Sequence, residues 1–386
     1  MCEGEITADA PIYVTRRYFA TVKRSHIEPG YLLFSIMASV GNSAVVPAGF
    51  PPATANRAVG ILVPKKEDRW LTWYLFYLFS TDLGSELYTR IKKGGLQQRT
   101  NLADVDALEY PLPPDDLRKK LVAEMDAAGA ARRTKLAEAD TLLAGLDGFL
   151  LASLGLTPPP EDDRKVFAAS VRAAREQSHL NANYFHPERT LALRAMEAAS
   201  QRVPCAKLVE VVAFIRDQIK TPGPNYLSLA HVQSNTGELV NADEDTAGAC
   251  SEFQTNDVLF ARLRPYLNKV YRAEIDGCCS PEFHVLRVNN AQALLPDYLA
   301  AILRSSLTLA QTRHMMTGNT HPRLTNEDVV NLVIPIPKKI AVQQAIVAEA
   351  RHRREEARRL RAEAEAGWQA AKVSFEEQLL GSVVRP

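Results

Sequence analysis

Apolar and polar segments follow the same order twice along the chain. Each copy begins with two short runs rich in β-formers, continues through an apolar helical segment and a polar loop, and ends in a strand-like Pro-x-Pro segment. The corresponding positions are 32–35 and 258–261, 59–63 and 283–288, 71–87 and 297–311, and 108–113 and 332–337. The pattern predicts two related units that mix helices and strands.

Individual residues align between the two copies at a nearly constant spacing. Phe34 matches Phe260 at a distance of 226 residues, and Tyr74 matches Tyr298 at 224. Other matches are Asn42 with Asn268, Pro111 with Pro335, and Pro113 with Pro337. Short loop insertions explain the drift of the offset, whereas the order of motifs is kept. The sequence therefore contains an internal repeat.

A long segment rich in Ala, Glu, Arg and Leu follows each Pro-x-Pro, at about 115–154 and 339–380, and ends in Leu-Gly. Proline ends the preceding strand and the final glycine is a typical helix C-cap. About 40 residues at 1.5 Å rise give a helix of about 60 Å. Their apolar stripes are partial, so we expect the two helices to pack as an antiparallel pair between the two units.

Composition restricts the possible classes of protein. The chain of 386 residues has 46 Lys+Arg against 45 Asp+Glu, so nucleic-acid binding requires local basic patches rather than bulk charge. The longest apolar run, 71–79, is far shorter than the roughly 20 residues of a membrane span, and the N-terminus has no apolar signal sequence. Five cysteines without a CxxC pair indicate structural thiols in a reducing cytoplasm; Cys278 and Cys279 precede an expected turn.

No catalytic motif is present. The sequence lacks a nucleotide-binding glycine loop, an HExxH helix, a zinc-type Cys/His cluster and the GxSxG hydrolase turn. His284, His314 and His321 do not share a helical face, which favours surface or packing roles over a metal site. We therefore expect no catalysis and no resident cofactor or metal.

Basic residues are concentrated in one part of the second copy. Positions 259–323 hold eight Lys/Arg and four Asp/Glu. Arg262 and Arg264 alternate with small or apolar neighbours, so both could project from one side of an extended segment towards a base or a phosphate. The competing interpretation is a surface salt bridge, for example to Glu282.

Polar loops at equivalent places, 317–323 and 92–99, combine glycine with basic and amide side chains, as phosphate-contacting loops do. The alternative is an ordinary polar loop, although its recurrence in both copies favours DNA contact. The basic run 351–361 is either a solvated helix face or a surface that binds a partner or flanks DNA. The predicted DNA-binding residues are Arg262, Arg264, Asn268, Lys269, Asn319, Thr320, His321, Arg323, Lys92, Lys93, Gln98 and Arg99.

Several of these segments carry a family resemblance. They are 256–270 (NDVLFARLRPYLNKV), 318–329 (GNTHPRLTNEDV), 331–337 (NLVIPIP), 180–189 and 225–237. In their order and duplication the chain resembles the DNA specificity subunits of type I restriction-modification systems. The resemblance implies an α+β fold with two mixed α/β target recognition domains, separated by two long antiparallel helices that form a coiled-coil spacer.

On this resemblance the chain divides into a first recognition domain (1–113), a first spacer helix (114–156), a second recognition domain (157–337) and a second spacer helix with a tail (338–386). The first copy lacks a counterpart of roughly 157–225. We therefore expect a shortened N-terminal recognition domain, whose independent reading of DNA is in question.

The resemblance implies a non-catalytic cytoplasmic subunit that recognises a bipartite target in double-stranded DNA. Its partners would be two methyltransferase subunits, which carry S-adenosylmethionine, and the restriction or motor subunits. Two alternatives stay open: a recognition subunit of another phage-defence methylation system, and a coiled-coil scaffold that does not bind DNA. A stand-alone methyltransferase is opposed by the missing Pro-Pro-aromatic motif of amino-methyltransferases.

Overall fold

The computed structural model describes residues 6, 12–63, 69–94, 98–162, 164–176, 181–216, 218–220, 223, 225–242, 248–315 and 322–383. The chain forms two compact units. Unit 1 comprises Met1–Glu138 and Arg359–Pro386, and unit 2 comprises Ala139–Arg358. The division between them falls within two long helices, so each unit contains a part of both.

Unit 1 combines short antiparallel strands with a helical layer. Strand β2 lies between β3 and β5, and β1 pairs with β4. The elements are α1 (Arg16–Thr21), β1 (His26–Ile27), β2 (Leu32–Ser35), β3 (Ser43–Val45), β4 (Ala53–Thr54), β5 (Val59–Leu62), α2 (Arg69–Ser80), α3 (Asp82–Thr89), α4 (Leu102–Asp106) and the first long helix α5 (Asp115–Ser153).

The core of unit 1 lies between β2, α2 and segments of both long helices. Phe34 and Tyr74 are fully buried, and Leu121 and Met125 of α5 join the same cluster. Phe375 from the C-terminal helix stacks on the Tyr74 ring with centroids 5.7 Å apart. Burial of these side chains stabilises the N-terminal part of α5, whose charged face gives little support of its own.

Unit 2 contains two four-stranded sheets and a helical layer. Its elements are α6 (Val171–Glu176), α7 (Pro187–Ala199), β6 (Cys205–Lys207), α8 (Leu208–Val211), β7 (Val212–Ile215), β8 (Gln218–Ile219), β9 (Tyr226–Leu227), β10 (Cys250–Phe253), β11 (Val258–Ala261), β12 (Val270–Arg272), β13 (Gly277–Cys279), β14 (Phe283–Val288), α9 (Pro296–Arg304), α10 (Ser306–Thr312), α11 (Asn326–Val330), β15 (Val333–Pro335) and the second long helix α12 (Ile340–Val383).

The central sheet of unit 2 has the antiparallel order β12–β11–β14–β7, and a second sheet has the order β8–β10–β13–β9. One face of the central sheet packs on α9, on α10 and on Leu150 and Ile346 of the long helices. The other face packs on the second sheet through Leu259 and Phe253. Because β11 is covered on both faces, its sequence VLFA is continuously apolar.

The two units share the details of a repeat, and the predicted internal repeat is confirmed. The Tyr74 hydroxyl donates to the Pro111 carbonyl at 2.5 Å, and the Tyr298 hydroxyl donates to the Pro335 carbonyl at 2.7 Å. Each bond joins the apolar helix to the proline segment that precedes a long helix. The predicted mixed α/β fold with two long helices is also confirmed.

Several predicted boundaries need correction. Each apolar segment forms two helices, because the chain turns at Thr81 and at Ser305. The Thr81 hydroxyl caps α3 by accepting from the Gly84 amide at 3.2 Å. Gly155, at φ +65°, ends the first long helix as predicted, whereas Gly381 lies inside α12 and is not a C-cap.

The Pro-x-Pro segment forms a strand in the second copy alone. β15 pairs with β6, with Pro335 opposite Cys205. Residues 108–114 pair with no strand in the described part of unit 1 and are irregular. Among the described helices, none has the length and apolarity needed to cross a membrane.

Loss of the tyrosine hydroxyl should destabilise unit 2. We expect Tyr298→Phe to lower the free energy of unfolding by about 1–3 kcal/mol, because the buried Pro335 carbonyl loses its hydrogen-bond donor. Tyr266→Phe is the matched control, since Tyr266 is 46% exposed. Denaturant unfolding monitored by circular dichroism measures both, and equal stabilities would contradict the role given to this bond.

Candidate DNA interface

The predicted basic segment of unit 2 lies where β11 ends and the chain turns towards β12. The Arg262 amide donates to the Glu282 carbonyl, and the Leu324 amide donates to the Arg262 carbonyl, each at 2.9 Å. Leu263 forms an isolated bridge with Arg323. The backbone of this segment is therefore held between two neighbouring strand-like segments, and its side chains stand on a rigid support.

Arg262 and Arg264 do not lie on one extended strand, so the prediction that both side chains project from the same side is wrong. Arg264 has a left-handed backbone (φ 49°) and precedes a turn of 3₁₀-helix at Pro265–Leu267. Its amide donates to the Pro322 carbonyl at 2.8 Å, which fixes this turn. The Arg264 side chain is exposed, whereas that of Arg262 is partly buried. The two guanidinium groups consequently occupy different environments.

Arg262 belongs to a basic cluster at the end of the central sheet. Its Nε atom is shielded from solvent and has no hydrogen-bond partner in the described structure. His284 lies on β14 opposite Phe260, and the exposed Arg216 directly follows β7. Burial, together with the smaller effects of the Arg262 and Arg216 charges, lowers the pKa of His284 to about 4. His284 is therefore neutral at pH 7 between two cations.

Other predicted residues of this segment have partners inside the unit. Arg323 forms a bidentate ion pair with Glu282, with the shortest distance, Nη2 to Oε1, at 2.6 Å. The side-chain amide of Asn268 donates to the Arg304 carbonyl at 2.8 Å, and Asn268 is 8% exposed. Lys269 Nζ donates to the Leu229 carbonyl at 2.7 Å. These contacts give the three residues a part in building the loop, in addition to any contact with DNA.

The predicted loop of unit 1 forms a hairpin. Lys93 and Arg99 exchange backbone hydrogen bonds of 2.8 and 2.9 Å, and Lys93 Nζ pairs with Asp104 at 2.6 Å. The Lys92 ammonium lies 4.9 Å from the centroid of the Tyr88 ring. Gln98 and Arg99 are exposed. The structure thus brings all four predicted residues of this loop together.

The segments that follow β2 and β11 have equivalent backbone pairing. Met37 bridges Arg99 as Leu263 bridges Arg323, and the Ala38 amide donates to the Gln98 carbonyl at 3.0 Å. Ala38 has a left-handed backbone (φ 61°) like that of Arg264. The predicted residues Asn319, Thr320 and His321 lie outside the described residues.

Two features of unit 2 were not found from the sequence. Arg216 is distant in sequence from Arg262, and strand pairing alone brings them together. The second feature is a group of three side chains, His186, Glu188 and His314, whose possible metal-ligand atoms all lie within 4.8 Å of one another. Two contacts join the three residues. His314 Nε2 lies 2.7 Å from the Glu188 carboxylate, and His186 Nδ1 accepts a hydrogen bond from the Glu188 backbone amide at 3.3 Å.

Cys278 and Cys279 lie in β13 rather than in a turn, and both are buried. Burial, together with the smaller effects of the neighbouring thiols, raises the pKa of the Cys279 thiol to about 12. A buried thiol with a raised pKa is unreactive, in agreement with the structural role predicted for this pair.

Comparison with known proteins finds similarity to the same family that the sequence motifs resemble. No protein-family model matches the chain. The EcoDI specificity subunit of a type I restriction enzyme from Escherichia coli is 27% identical over 135 residues. That alignment spans 33% of this chain and 29% of the relative. The similarity to a type I specificity subunit thus extends over less than a third of that protein's length.

Solved structures show the fold. A chain from a study of complex assembly and conformational transition in the type I R-M system matches with a TM-score of 0.50 and 17% identity, covering 92% of this chain and 82% of that chain. The S subunit of a type I restriction-modification system from M. genitalium matches with a TM-score of 0.42 and 11% identity, covering 92% and 84%. The first match shows that the present chain has a fold found in a type I system.

The basic cluster should impose a measurable pH dependence on stability. The unfolded chain protonates His284 near pH 6.5, whereas the native protein does so near pH 4. Native His284 binds fewer protons in this interval, so its contribution to stability is present above pH 6.5 and is lost as the pH falls towards 4. The loss should reach about 3 kcal/mol.

The test is the difference in unfolding free energy between the wild type and His284→Asn across this interval. We expect the difference to shift against the wild type as the pH falls. His352→Asn, on the exposed face of α12, should track the wild type at every pH. A difference that does not change with pH would rule out the assigned environment of His284.

Proposed function

We propose that this chain is the DNA-recognition subunit of a type I restriction-modification complex. The observation that carries the proposal is the basic cluster of Arg216 and Arg262 beside His284 at one end of the unit 2 sheet. The exposed Arg264 follows two residues after Arg262, in a turn whose backbone pairing recurs in unit 1. The cluster occurs in a fold shared with a chain of a type I system. Arginine at a rigid sheet end is suited to base edges and to phosphates.

His284 contributes to this site because its neutral ring adds no further positive charge. A third cation between Arg216 and Arg262 would increase repulsion in the free protein, whereas a neutral imidazole allows both guanidinium groups to stay close. A DNA phosphate supplies the negative charge that the cluster lacks. Electrostatic attraction of this kind depends strongly on salt concentration.

The two units differ where two half-sites would require them to differ. Unit 1 has Met37 and Ala38 at the positions of Leu263 and Arg264, on the same backbone geometry. Its exposed cations, Lys93 and Arg99, lie instead on the hairpin strands. Unit 1 would therefore position DNA through phosphate contacts, and unit 2 would supply the additional base contact through Arg264.

The rest of the proposed complex follows from the type I systems that the chain resembles. Two methyltransferase subunits would dock on the long helices, carry S-adenosylmethionine and methylate DNA in the cytoplasm, and the restriction subunits would join that assembly. This chain would contribute recognition and no catalytic residue. Exposed residues on α5 and α12, among them Arg351, His352 and Lys119, leave both helices with solvated faces for such docking.

Replacement of Arg264 should separate recognition from folding. We expect Arg264→Ala to weaken binding of the target duplex by about 1–3 kcal/mol if the side chain contacts a base, with unchanged thermal stability. Arg194→Ala is the control, because Arg194 is equally exposed on α7 of the same unit. Fluorescence anisotropy at several salt concentrations measures both, and unchanged affinity of Arg264→Ala would contradict the assignment.

The target duplex comes from methylome sequencing of cells that express this chain with a type I methyltransferase subunit. Mobility-shift assays with and without that subunit then compare the proposal with its alternatives. A coiled-coil scaffold would not shift DNA in either assay. A stand-alone methyltransferase would bind S-adenosylmethionine as the purified single chain, which the proposal excludes.

A further inference from the structure

A cavity of about 420 Å³ lies in unit 2, apart from the basic cluster described above. It is lined by the C-terminal part of α5, the turn at 235–236, Asn268, α9, α10 and the N-terminal part of α12. Its volume falls within the range of roughly 300–1,000 Å³ typical of small-molecule sites. The cavity is open to solvent on one side, so a small ligand can enter it.

Two arginines project into this cavity from different helices. Arg304 ends α9, and Arg354 lies on α12. Burial lowers the pKa of Arg304, and the charge of Arg354 acts on it in the same direction. Burial also lowers the pKa of Arg354. Two like charges have therefore been placed together in a partly desolvated site.

No carboxylate of the described residues forms an ion pair with either arginine. The nearby acids Glu238 and Asp297 are engaged by Arg358 at 3.2 Å and by Arg272 at 3.1 Å. Asp147 also lines the cavity, and its carboxylate accepts from the Ser306 amide at 3.0 Å. The cations of the cavity thus lack the partner that buried charges normally have.

Polar atoms at the cavity are left without partners as well. Arg354 Nε and Ser306 Oγ are both shielded from solvent and make no hydrogen bond in the described structure. Most buried polar groups are satisfied, so an occupant that accepts hydrogen bonds from these two atoms, on two separate helices, would be stabilised there.

The position of Arg304 is fixed independently of any ligand. Its Nη1 atom donates to the Val270 carbonyl at 2.8 Å, and its own carbonyl accepts from Asn268. Gly237 makes room for it, because a Cβ atom there would lie 2.5 Å from Arg304 Nη1. The guanidinium is therefore preorganised, which reduces the entropic cost of binding.

The remaining walls are apolar. Leu143, Leu146, Leu309 and Ile346 line the cavity, together with Phe149. The Phe149 ring is held by the Arg353 guanidinium at 4.8 Å from its centroid. Such walls favour a ligand that carries an apolar body in addition to its charge.

We propose that this cavity binds a small organic anion, a phosphate or carboxylate attached to an apolar body, with the anionic group between Arg304 and Arg354. The anion supplies the missing countercharge and accepts hydrogen bonds from Arg354 and from Ser306 Oγ. The apolar body lies against the leucines of α5 and α10.

Four probes test the chemistry at constant ionic strength: phenyl phosphate, benzoate, inorganic phosphate and phenol. We expect phenyl phosphate or benzoate to raise the melting temperature most, and the rank of these two distinguishes phosphate from carboxylate. Inorganic phosphate should be weaker and phenol ineffective. An equal effect of phenol or of inorganic phosphate, or no effect of any probe, overturns the proposal.

Two matched variants locate the site. Arg354→Met should raise the dissociation constant of the better probe by about tenfold or more, since it removes a charge-assisted hydrogen bond. Arg351→Met removes one exposed cation from the same helix and should leave it unchanged. Without any probe, Arg354→Met should melt at a higher temperature than the wild type, because the repulsion with Arg304 is gone. Equal behaviour of the two variants overturns the proposal.

A third variant keeps both arginines and blocks the cavity instead. Ala350→Trp fills the cavity from α12 and should abolish probe binding while unfolding remains cooperative. DNA binding by Arg354→Met at low salt, on a duplex of arbitrary sequence, is measured in parallel and should equal that of the wild type. A parallel loss of DNA affinity would assign Arg354 to the DNA interface and overturn the small-ligand assignment.

Discussion

The two long helices bury apolar residues in the same core clusters, one cluster in each unit. In unit 1, Leu121 and Met125 of α5 share a cluster with Phe375 of α12. In unit 2, Leu150 of α5 shares a cluster with Ile346 of α12. Charged residues and several glycines leave both helices with weak amphipathicity, and a long helix of this composition is marginal in water alone. The stability of each unit therefore depends on chain segments far apart in the sequence.

Features set by local chemistry were predictable from the sequence. Proline before each long helix, glycine at 155 and the alternation of apolar segments act within a few residues, and they led to the correct order of elements and the repeat. Features that depend on a distant partner were not predictable. The strand at Val333–Pro335 requires β6, which the sequence pattern around it does not represent. The break at Thr81 is local, since its hydroxyl caps α3 three residues on, but the continuous apolar run 71–87 concealed it.

The candidate DNA interface follows the same division. Lys92, Lys93, Gln98 and Arg99 are close in sequence and are together in the structure. The cluster of Arg216, Arg262 and His284 depends on the register of three strands, which apolar periodicity does not determine. From the sequence, Glu282 was a possible ion-pair partner of Arg262 or Arg264. In the structure Glu282 pairs with Arg323, and charge alone does not identify which arginine lies beside it.

The left-handed residue in the turn after β2 and after β11 has a consequence for evolution. Ala38 and Arg264 adopt the same backbone conformation, and in each turn a backbone hydrogen bond from that residue's own amide fixes the chain. The scaffold consequently tolerates side chains as different as a methyl group and a guanidinium at this position. Mutation there can change what the surface presents while the fold beneath it stays the same, so new binding preferences can be sampled by single substitutions.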